Sequence, residues 1–308
     1  MKTDEPRSGG ASAALRLLPA ALLLASALAA LLAQRAQRDP TKPEDWQAAG
    51  ALVVKLAKSA DGVRTEPPWR DDALVPLGPV QSKIQRGDGE VWREDLFGTS
   101  ALWIVSERDR LQRALARLPF DAAPDQTHEL NTVTVVRVPV PASLQYAARL
   151  SDQLAAAQVA IVKGQDASPC AWSATQGQWG CQRAGANIDV RPRVMEMQDA
   201  ARRCIWAPPP GDGKFLRITF PKLALKRSLR LRVGMDLFGA RREGVPITWR
   251  ARIGDAQIAG DTIPEGRDGW PAVDVDTSRF VDKPAALTVE VEATSWERRH
   301  LCFEGWIE

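Results

Sequence analysis

Residues 229–237, LRLRVGMDL, decide the fold class, because apolar residues occupy every second position of this stretch. The same alternation runs through residues 247–253, ITWRARI, and through residues 287–293, LTVEVEA. A side-chain period of two is typical of antiparallel strands that bury one face and expose the other to solvent. Because Gly, Pro and Asp turns separate these strands from further short apolar runs, we predict an antiparallel β-sandwich, or jelly roll, over residues 187–308.

Upstream of the sandwich the apolar residues follow a different pattern. The Ala-rich residues 142–157 have helical spacing, whereas residues 101–105, ALWIV, and residues 159–162, VAIV, are continuous apolar runs typical of buried strands. Because helices and strands alternate here, we predict a small three-layer α/β domain over residues 41–163 and a disulfide loop or linker over residues 164–186. The fold class of the whole chain is therefore predicted to be α+β.

The amino terminus contains an uncharged apolar run at residues 17–33, LLPAALLLASALAALLA. Extended back to residue 11 it reaches about the 20 residues that span a bilayer. We predict a signal-anchor transmembrane helix within residues 11–33, and residues 1–38 then form the cytoplasmic tail and anchor of a single-pass inner-membrane protein with its body in the periplasm. The small-residue triplet at 25–27, ASA, leaves a cleaved signal peptide and a secreted or periplasmic protein as the alternative.

All four cysteines lie downstream of this segment, at Cys170, Cys181, Cys204 and Cys302. An even number of cysteines in an exported chain predicts disulfide bonds. Three connectivities are possible. We favour Cys170–Cys181, which closes a short loop, and Cys204–Cys302, which ties the first strand of the last domain to its final strand.

Composition and motifs exclude several classes of function. The 41 basic and 38 acidic residues nearly cancel, and arginines alternate with acids, so a nucleic-acid partner is not expected. The chain has 2 His, no Cys-x-x-Cys pair and no glycine-rich nucleotide-binding motif. We therefore predict no catalytic residues, no metal site and no cofactor.

The last third of the chain carries a recognisable order of segments: CIWA at 204–207, FLRITF at 215–220, the strand at 229–237, GWPAVDVD at 269–276 and HLCFEGW at 300–306. In this order residues 204–308 resemble the galactose-binding-like jelly rolls that occur as accessory carbohydrate-binding modules. An anchor, a small α/β unit and a terminal jelly roll together also resemble the extracytoplasmic parts of bacterial cell-envelope polysaccharide proteins. The resemblance implies glycan binding, and it assigns no site residue.

A candidate ligand site follows from the residues of the loop before the final strand. Trp296 lies beside Arg298 and Arg299 in this loop, and Trp270 lies in the segment before an earlier strand. An exposed indole can stack on a sugar ring while guanidinium groups donate to its hydroxyls. The alternative is that Trp296 folds back over the hydrophobic end of the sandwich. We predict that loops at one end of the sandwich hold the ligand.

These observations favour a non-catalytic binding protein of the bacterial cell envelope, held to the inner membrane through residues 11–33, whose jelly roll binds a glycan or a protein partner. One alternative is a glycan-active hydrolase or transferase that uses acids such as Asp71, Asp72 or Glu94, which would have to face each other across one cleft. The other is a structural or docking subunit of a surface-polysaccharide or export complex.

Overall fold

The computed structural model of the protein describes residues 23–30, 41–84, 90–183, 186–198, 200–267, 269–281 and 283–308. Residues 23–30 are helical and exposed, and the rest of the predicted span at 11–33 lies outside the described residues. Within the ranges given above, no helix combines the length and the apolar content needed to cross a membrane.

The regular elements are mostly strands. The strands of the described ranges are β1 (Asp61–Glu66), β2 (Ala101–Glu107), β3 (Gln126–Leu130), β4 (Val133–Pro139), β5 (Ala148–Arg149), β6 (Gln158–Lys163), β7 (Asp166–Pro169), β8 (Ala171–Ser173), β9 (Gln178–Arg183), β10 (Ala186–Met197), β11 (Ala200–Trp206), β12 (Phe215–Ala224), β13 (Ser228–Met235), β14 (Ile247–Ile253), β15 (Ala256–Ile263), β16 (Ala272–Asp276), β17 (Pro284–Glu292) and β18 (Leu301–Ile307). The α-helices are Pro43–Leu56, Asp71–Leu74, Leu111–Ala116 and Leu237–Ala240. The 3-10 helices are Val75–Lys83, Arg93–Leu96, Arg108–Arg110, Ala142–Leu144, Leu150–Ala156 and Ser278–Phe280.

The first region is a four-stranded sheet in the order β1-β2-β4-β3, in which β1 runs parallel to β2 and the other pairs are antiparallel. Helix Pro43–Leu56 packs on one face, where Trp46 and Val53 join a cluster that contains Trp103. Helix Leu111–Ala116 packs on the other face beside Ile104. Because side chains of β2 alternate between two covered faces, a continuous apolar run is what this strand requires.

The second region is a two-sheet antiparallel β-sandwich, as the alternation predicts. One sheet has the order β16-β13-β18-β11-β10-β9-β8, with β5 pairing with β18, and the other has the order β15-β14-β17-β12-β6-β7. The apolar side chains of the alternating strands meet between the sheets in one large buried cluster. That cluster contains Leu229, Leu231 and Val233 of the stretch that decided the fold class.

Three segments differ from the prediction. Residues 142–157 form two 3-10 helices and strand β5 instead of one helix, because Ala148 and Arg149 pair with β18 and tertiary pairing overrides the helix propensity of the alanines. Residues 159–162 belong to β6, which pairs with β12 of the sandwich and not with the first sheet. Residues 164–186 contain strands instead of a simple loop, since β7 pairs with β6 and β8 with β9.

Both predicted disulfides are confirmed. Cys170–Cys181 joins the segment before β8 to β9 with a Cα–Cα distance of 4.4 Å. Cys204–Cys302 joins β11 to β18 with a Cα–Cα distance of 5.7 Å, and so links the last strand to one near the middle of the sheet. Both distances lie within the range that a disulfide bridges.

Candidate functional site

The loop between β17 and β18 places two of the predicted site residues at the surface. Trp296 has 44% of its surface exposed, and Arg298 is also exposed, with a backbone φ of +57°. The predicted stacking site requires an exposed Trp296 ring, because a buried ring would leave no stacking face. The observed exposure meets this requirement. The backbone nitrogen of Trp296 lies against Gly211, where a Cβ atom would approach it to 3.2 Å.

The structure does not bring the other two predicted residues to this surface. Arg299 is fully buried, and its Nη2 donates to the Arg242 carbonyl oxygen at 2.9 Å. Its guanidinium occupies the space beside Gly244, where a side chain would collide with it. Trp270 is also buried, and its indole N–H donates to the Cys302 carbonyl oxygen at 3.3 Å. Arg299 therefore acts as an internal support of the loop, and Trp270 belongs to the packing around the Cys204–Cys302 disulfide.

Phe238 is a surface residue that the sequence interpretation missed. It lies in the short helix Leu237–Ala240 after β13 and is 49% exposed. Its neighbour Gly239 lies against the Arg298 carbonyl oxygen, which would be 3.3 Å from a Cβ atom at that position, so the Phe238 and Trp296 loops are adjacent. The sequence does contain a signal for the exposure of Phe238, since this residue follows the alternation of residues 229–237 in the polar register.

His300 and Asp236 support this surface from below. The His300 Nδ1 lies 3.3 Å from Asp236 Oδ2, and Asp236 Oδ1 accepts the Gly239 N–H at 2.8 Å. The imidazole stacks on Phe238 with ring centres 5.5 Å apart and contacts Trp206 at 4.7 Å. The carboxylate thus fixes both the loop backbone and the ring on which the exposed Phe238 rests.

A cavity of about 440 Å³ opens beside Phe238. The residues that line it are Glu196, Asp236, Phe238, Arg241 and Arg242. The Arg242 guanidinium carbon lies 4.1 Å from the centre of the Phe238 ring. Aromatic faces beside guanidinium donors and carboxylate acceptors suit a ligand that has both apolar C–H faces and hydroxyl groups.

A larger cavity of about 690 Å³ lies between β1 and the outer face of β10 and β11, and Trp270 and Glu94 contribute to its lining. Glu94 was one of the acids considered for catalysis. Its Oε1 accepts from Arg230 Nε at 2.6 Å and from Arg232 Nε at 2.7 Å. Burial opposes ionisation, but hydrogen bonds and charge from Arg232 and Arg230 outweigh it and lower the pKa of Glu94.

Glu94 and Asp95, two carboxylates of this cavity, are thus engaged in ion pairs that join the first region to the sandwich. Asp95 Oδ1 accepts from Arg202 Nε at 3.2 Å, and burial raises the pKa of the Asp95 carboxyl despite this cation. Asp72, another of the acids considered, pairs with Arg70 at 3.6 Å, and the Asp71 side chain lies outside the described part of the structure. Throughout the described part of the chain, no group of three or more His, Cys, Asp and Glu residues is arranged to hold a metal ion.

Comparison with known proteins finds similarity at the level of structure. No family model matches the chain, and no curated protein sequence matches it either. Several of the solved structures to which it is similar are carbohydrate-binding modules. One is the CBM51-2 and INT domains of Clostridium perfringens ZmpB in complex with GlcNAc, with a TM-score of 0.32 and 10% identity over 60% of this chain and 40% of that one.

Two further similarities are of the same kind. The CBM51 of Clostridium perfringens GH95 in complex with methyl-galactose has a TM-score of 0.26 and 11% identity, over 38% of this chain and 80% of that one. The CBM22-1 xylan-binding domain of Paenibacillus barcinonensis Xyn10C has a TM-score of 0.25 and 12% identity, over 44% of this chain and 88% of that one. The chain thus spans less than half the length of the ZmpB fragment and most of the length of the two single modules.

Proposed function

We propose that the protein binds a glycan without cleaving it, at the loop end of the sandwich. The observation that supports this most directly is the pair of exposed rings, Phe238 and Trp296, on adjacent loops, together with a cavity beside Phe238 that guanidinium and carboxylate groups line. Sugar rings present C–H faces that pack on aromatic faces, and hydroxyls that pair with charged hydrogen-bonding groups. The ion pairs of Glu94 with Arg230 and Arg232 favour binding over catalysis, because a carboxylate held in the charged state by two cations cannot serve as the proton donor that glycosidic cleavage requires.

The test is a glycan-array screen of the full chain, followed by affinity measurements on the sugars that are retained. Phe238→Ala and Trp296→Ala should each weaken binding about 10-fold or more, since one stacking face contributes on the order of 1 kcal/mol or more. Trp69→Ala is the matched control, because Trp69 is also an exposed tryptophan, 59% accessible, but lies in the first region. Its affinity should equal that of the unmodified protein.

Two outcomes would contradict the proposal. Retention of no glycan by the array would exclude glycan binding as the function. Unchanged affinity in the Phe238→Ala/Trp296→Ala double variant would leave glycan binding in place but exclude this end of the sandwich as its site.

The same proposal includes a location outside the cytoplasm, with residues 11–33 as a signal anchor. Two disulfides with no free cysteine support export, because such bonds persist in oxidising compartments. Alkaline phosphatase fused after residue 60 should be active in a bacterial host, and inactivity would overturn the topology. Cell fractionation separates the two forms, since an anchored chain sediments with membranes and a cleaved chain does not.

A further inference from the structure

The outer face of β9 and β10 carries a set of amide side chains that no function above uses. Gln182 is the cross-strand partner of Asn187, and Gly180 is the partner of Asp189. Directly opposed residues of an antiparallel pair project to the same face, and so do residues two apart on one strand. Gln178, two residues before Gly180, therefore shares this face and accepts from Arg191 Nη1 at 3.4 Å.

The two charged residues that line the cavity over this face balance each other. Arg191 Nε lies 2.7 Å from Asp189 Oδ2, so the cation and the anion are paired within the face. The remaining groups are amides, each of which donates and accepts hydrogen bonds. A cavity of about 480 Å³ lies over them. Such a neutral set of donors and acceptors matches a polyhydroxylated, uncharged ligand, since every hydroxyl also donates and accepts.

Gly180 forms a notch in this face. A Cβ atom at this position would meet, among the described residues, the Ala171 carbonyl oxygen at 3.9 Å and nothing closer. Beneath the notch, Cys181 is buried and bonded to Cys170, which fixes β9 to the start of β8. The recess is therefore open to solvent, and the disulfide beneath it fixes the strand, so that the recess is formed in the absence of a ligand.

A row of contacts connects the notch to the loop end. Arg191 is the cross-strand partner of Trp206 on β11, so both project to the outer face. The Arg193 guanidinium lies 4.4 Å from the Trp206 ring centre. Trp206 contacts His300 at 4.7 Å, and His300 stacks on Phe238 at 5.5 Å. From Asn187 to Arg191 alone the strand rises about 13 Å, which exceeds the width of one sugar ring.

We infer that the protein binds a chain of several uncharged sugar residues, which runs from Phe238 past Arg193, whose guanidinium lies on the buried Trp206, to the Gly180 notch. This inference rests on the proposed function and adds the class of ligand, a neutral oligosaccharide instead of a single terminal sugar. Aromatic rings contact the sugar faces at the loop end, and amides contact hydroxyl groups on the sheet face. A chain that touches both places gains affinity with each added unit, because the second contact becomes intramolecular.

The experiment measures the affinity of the full chain for xylo-, cello- and mannooligosaccharides of one to six units. We expect affinity to rise at least 10-fold from one unit to the longer members. Gly180→Val fills the notch without requiring an unusual backbone conformation, and it should remove this gain while the affinity for the shortest ligand stays unchanged. Gln182→Ala/Asn187→Ala is a second variant that keeps the glycine and should reduce the gain several-fold. Gln257→Ala, an exposed amide on β15 of the other sheet, is the control.

The outcomes separate the two proposals. If Phe238→Ala and Trp296→Ala weaken binding while Gly180→Val and Gln182→Ala/Asn187→Ala bind every length as the unmodified protein does, the inference of an extended ligand is wrong and the proposed function stands. If the affinity does not depend on the length of the oligosaccharide, the inference of an extended ligand is also wrong. If no sugar of any length binds, both the proposed function and the inference that rests on it are wrong.

Discussion

The outer face of the eight-stranded sheet has a covered half and an open half. In the covered half, Arg232 on β13 and its cross-strand partner Glu304 on β18 are buried, and Trp92 and Glu94 of the first region pack on this half. In the open half, Gln182 on β9 faces Asn187 on β10, and both are exposed. The two halves share one sheet and one alternating pattern.

The difference shows how the requirements of the polar side chains on a strand change when another segment packs on them. A charge removed from water needs a partner, and the first region supplies one for the buried arginines of the covered half. Glu94 pairs with Arg230 and Arg232, and Arg202 pairs with Asp95. Arg202 and Arg232 also place their guanidinium carbons 3.0 Å and 3.7 Å from the centre of the Trp92 ring. The open half keeps amides instead, which water or a ligand can satisfy.

The two disulfides give the largest expected effects and distinguish the halves. Cys204→Ala/Cys302→Ala removes a link between residues 98 apart in the covered half and should lower the free energy of unfolding by about 5 kcal/mol. Cys170→Ala/Cys181→Ala opens a separation of 11 residues in the open half and should cost about 3 kcal/mol. Urea unfolding of both variants measures the difference. Equal losses would show that loop length does not set the contribution.

Glu94→Gln tests the ion pairs of the covered half. The change leaves Arg230 and Arg232 without their shared counter-charge and should destabilise the protein by about 3 kcal/mol. Asp274→Asn is the matched control, because Asp274 also binds Arg230, at 2.7 Å, but is exposed, and its removal should cost less than about 1 kcal/mol. Similar losses in the two variants, measured by urea unfolding, would show that burial does not distinguish these pairs.

Glu304 makes the stability of the covered half depend on pH, and Glu304→Gln removes this dependence. Burial raises the pKa of Glu304 from 4.5 to about 7, although its Oε1 accepts the Ser151 and Gly305 N–H groups. The native state therefore binds the proton more tightly than the unfolded state, and the wild type loses stability as the pH rises between these two values.

The glutamine keeps the acceptor and cannot ionise. Its advantage should be absent at about pH 4 and reach about 3 kcal/mol at about pH 8, because each pKa unit corresponds to about 1.4 kcal/mol. Urea unfolding at several pH values measures this dependence. A stability difference that stays constant with pH would exclude ionisation of Glu304 as its cause.

The open half should give the smallest effect on stability. Gln182→Ala/Asn187→Ala should change the free energy of unfolding by no more than about 0.5 kcal/mol, since both amides are exposed. The measurement is the same urea titration. A loss above about 2 kcal/mol would mean that these amides serve the fold, and the contrast between the halves would disappear.

Much of the fold could be predicted from the sequence. The bounds of β14 follow directly from the alternation, and both disulfide pairings agree with the structure. The helix predicted at 142–157 failed because its centre pairs with β18, a contact that no local pattern contains. Of the site residues, the surface positions of Trp296 and Arg298 match the expectation, whereas the burial of Arg299 depends on the distant Arg242 carbonyl.

The sequence by itself determined which residues share a face, because strand alternation is a property of successive side chains and needs no knowledge of neighbours. It also determined the number of cysteines available for disulfides. The tertiary structure decided which polar faces are covered and which stay open. Glu94 meets Arg232 across 138 residues of chain, and the amide face meets no such segment among the described residues. Burial depends on what packs above a residue, and that is decided by contacts between segments far apart in the chain.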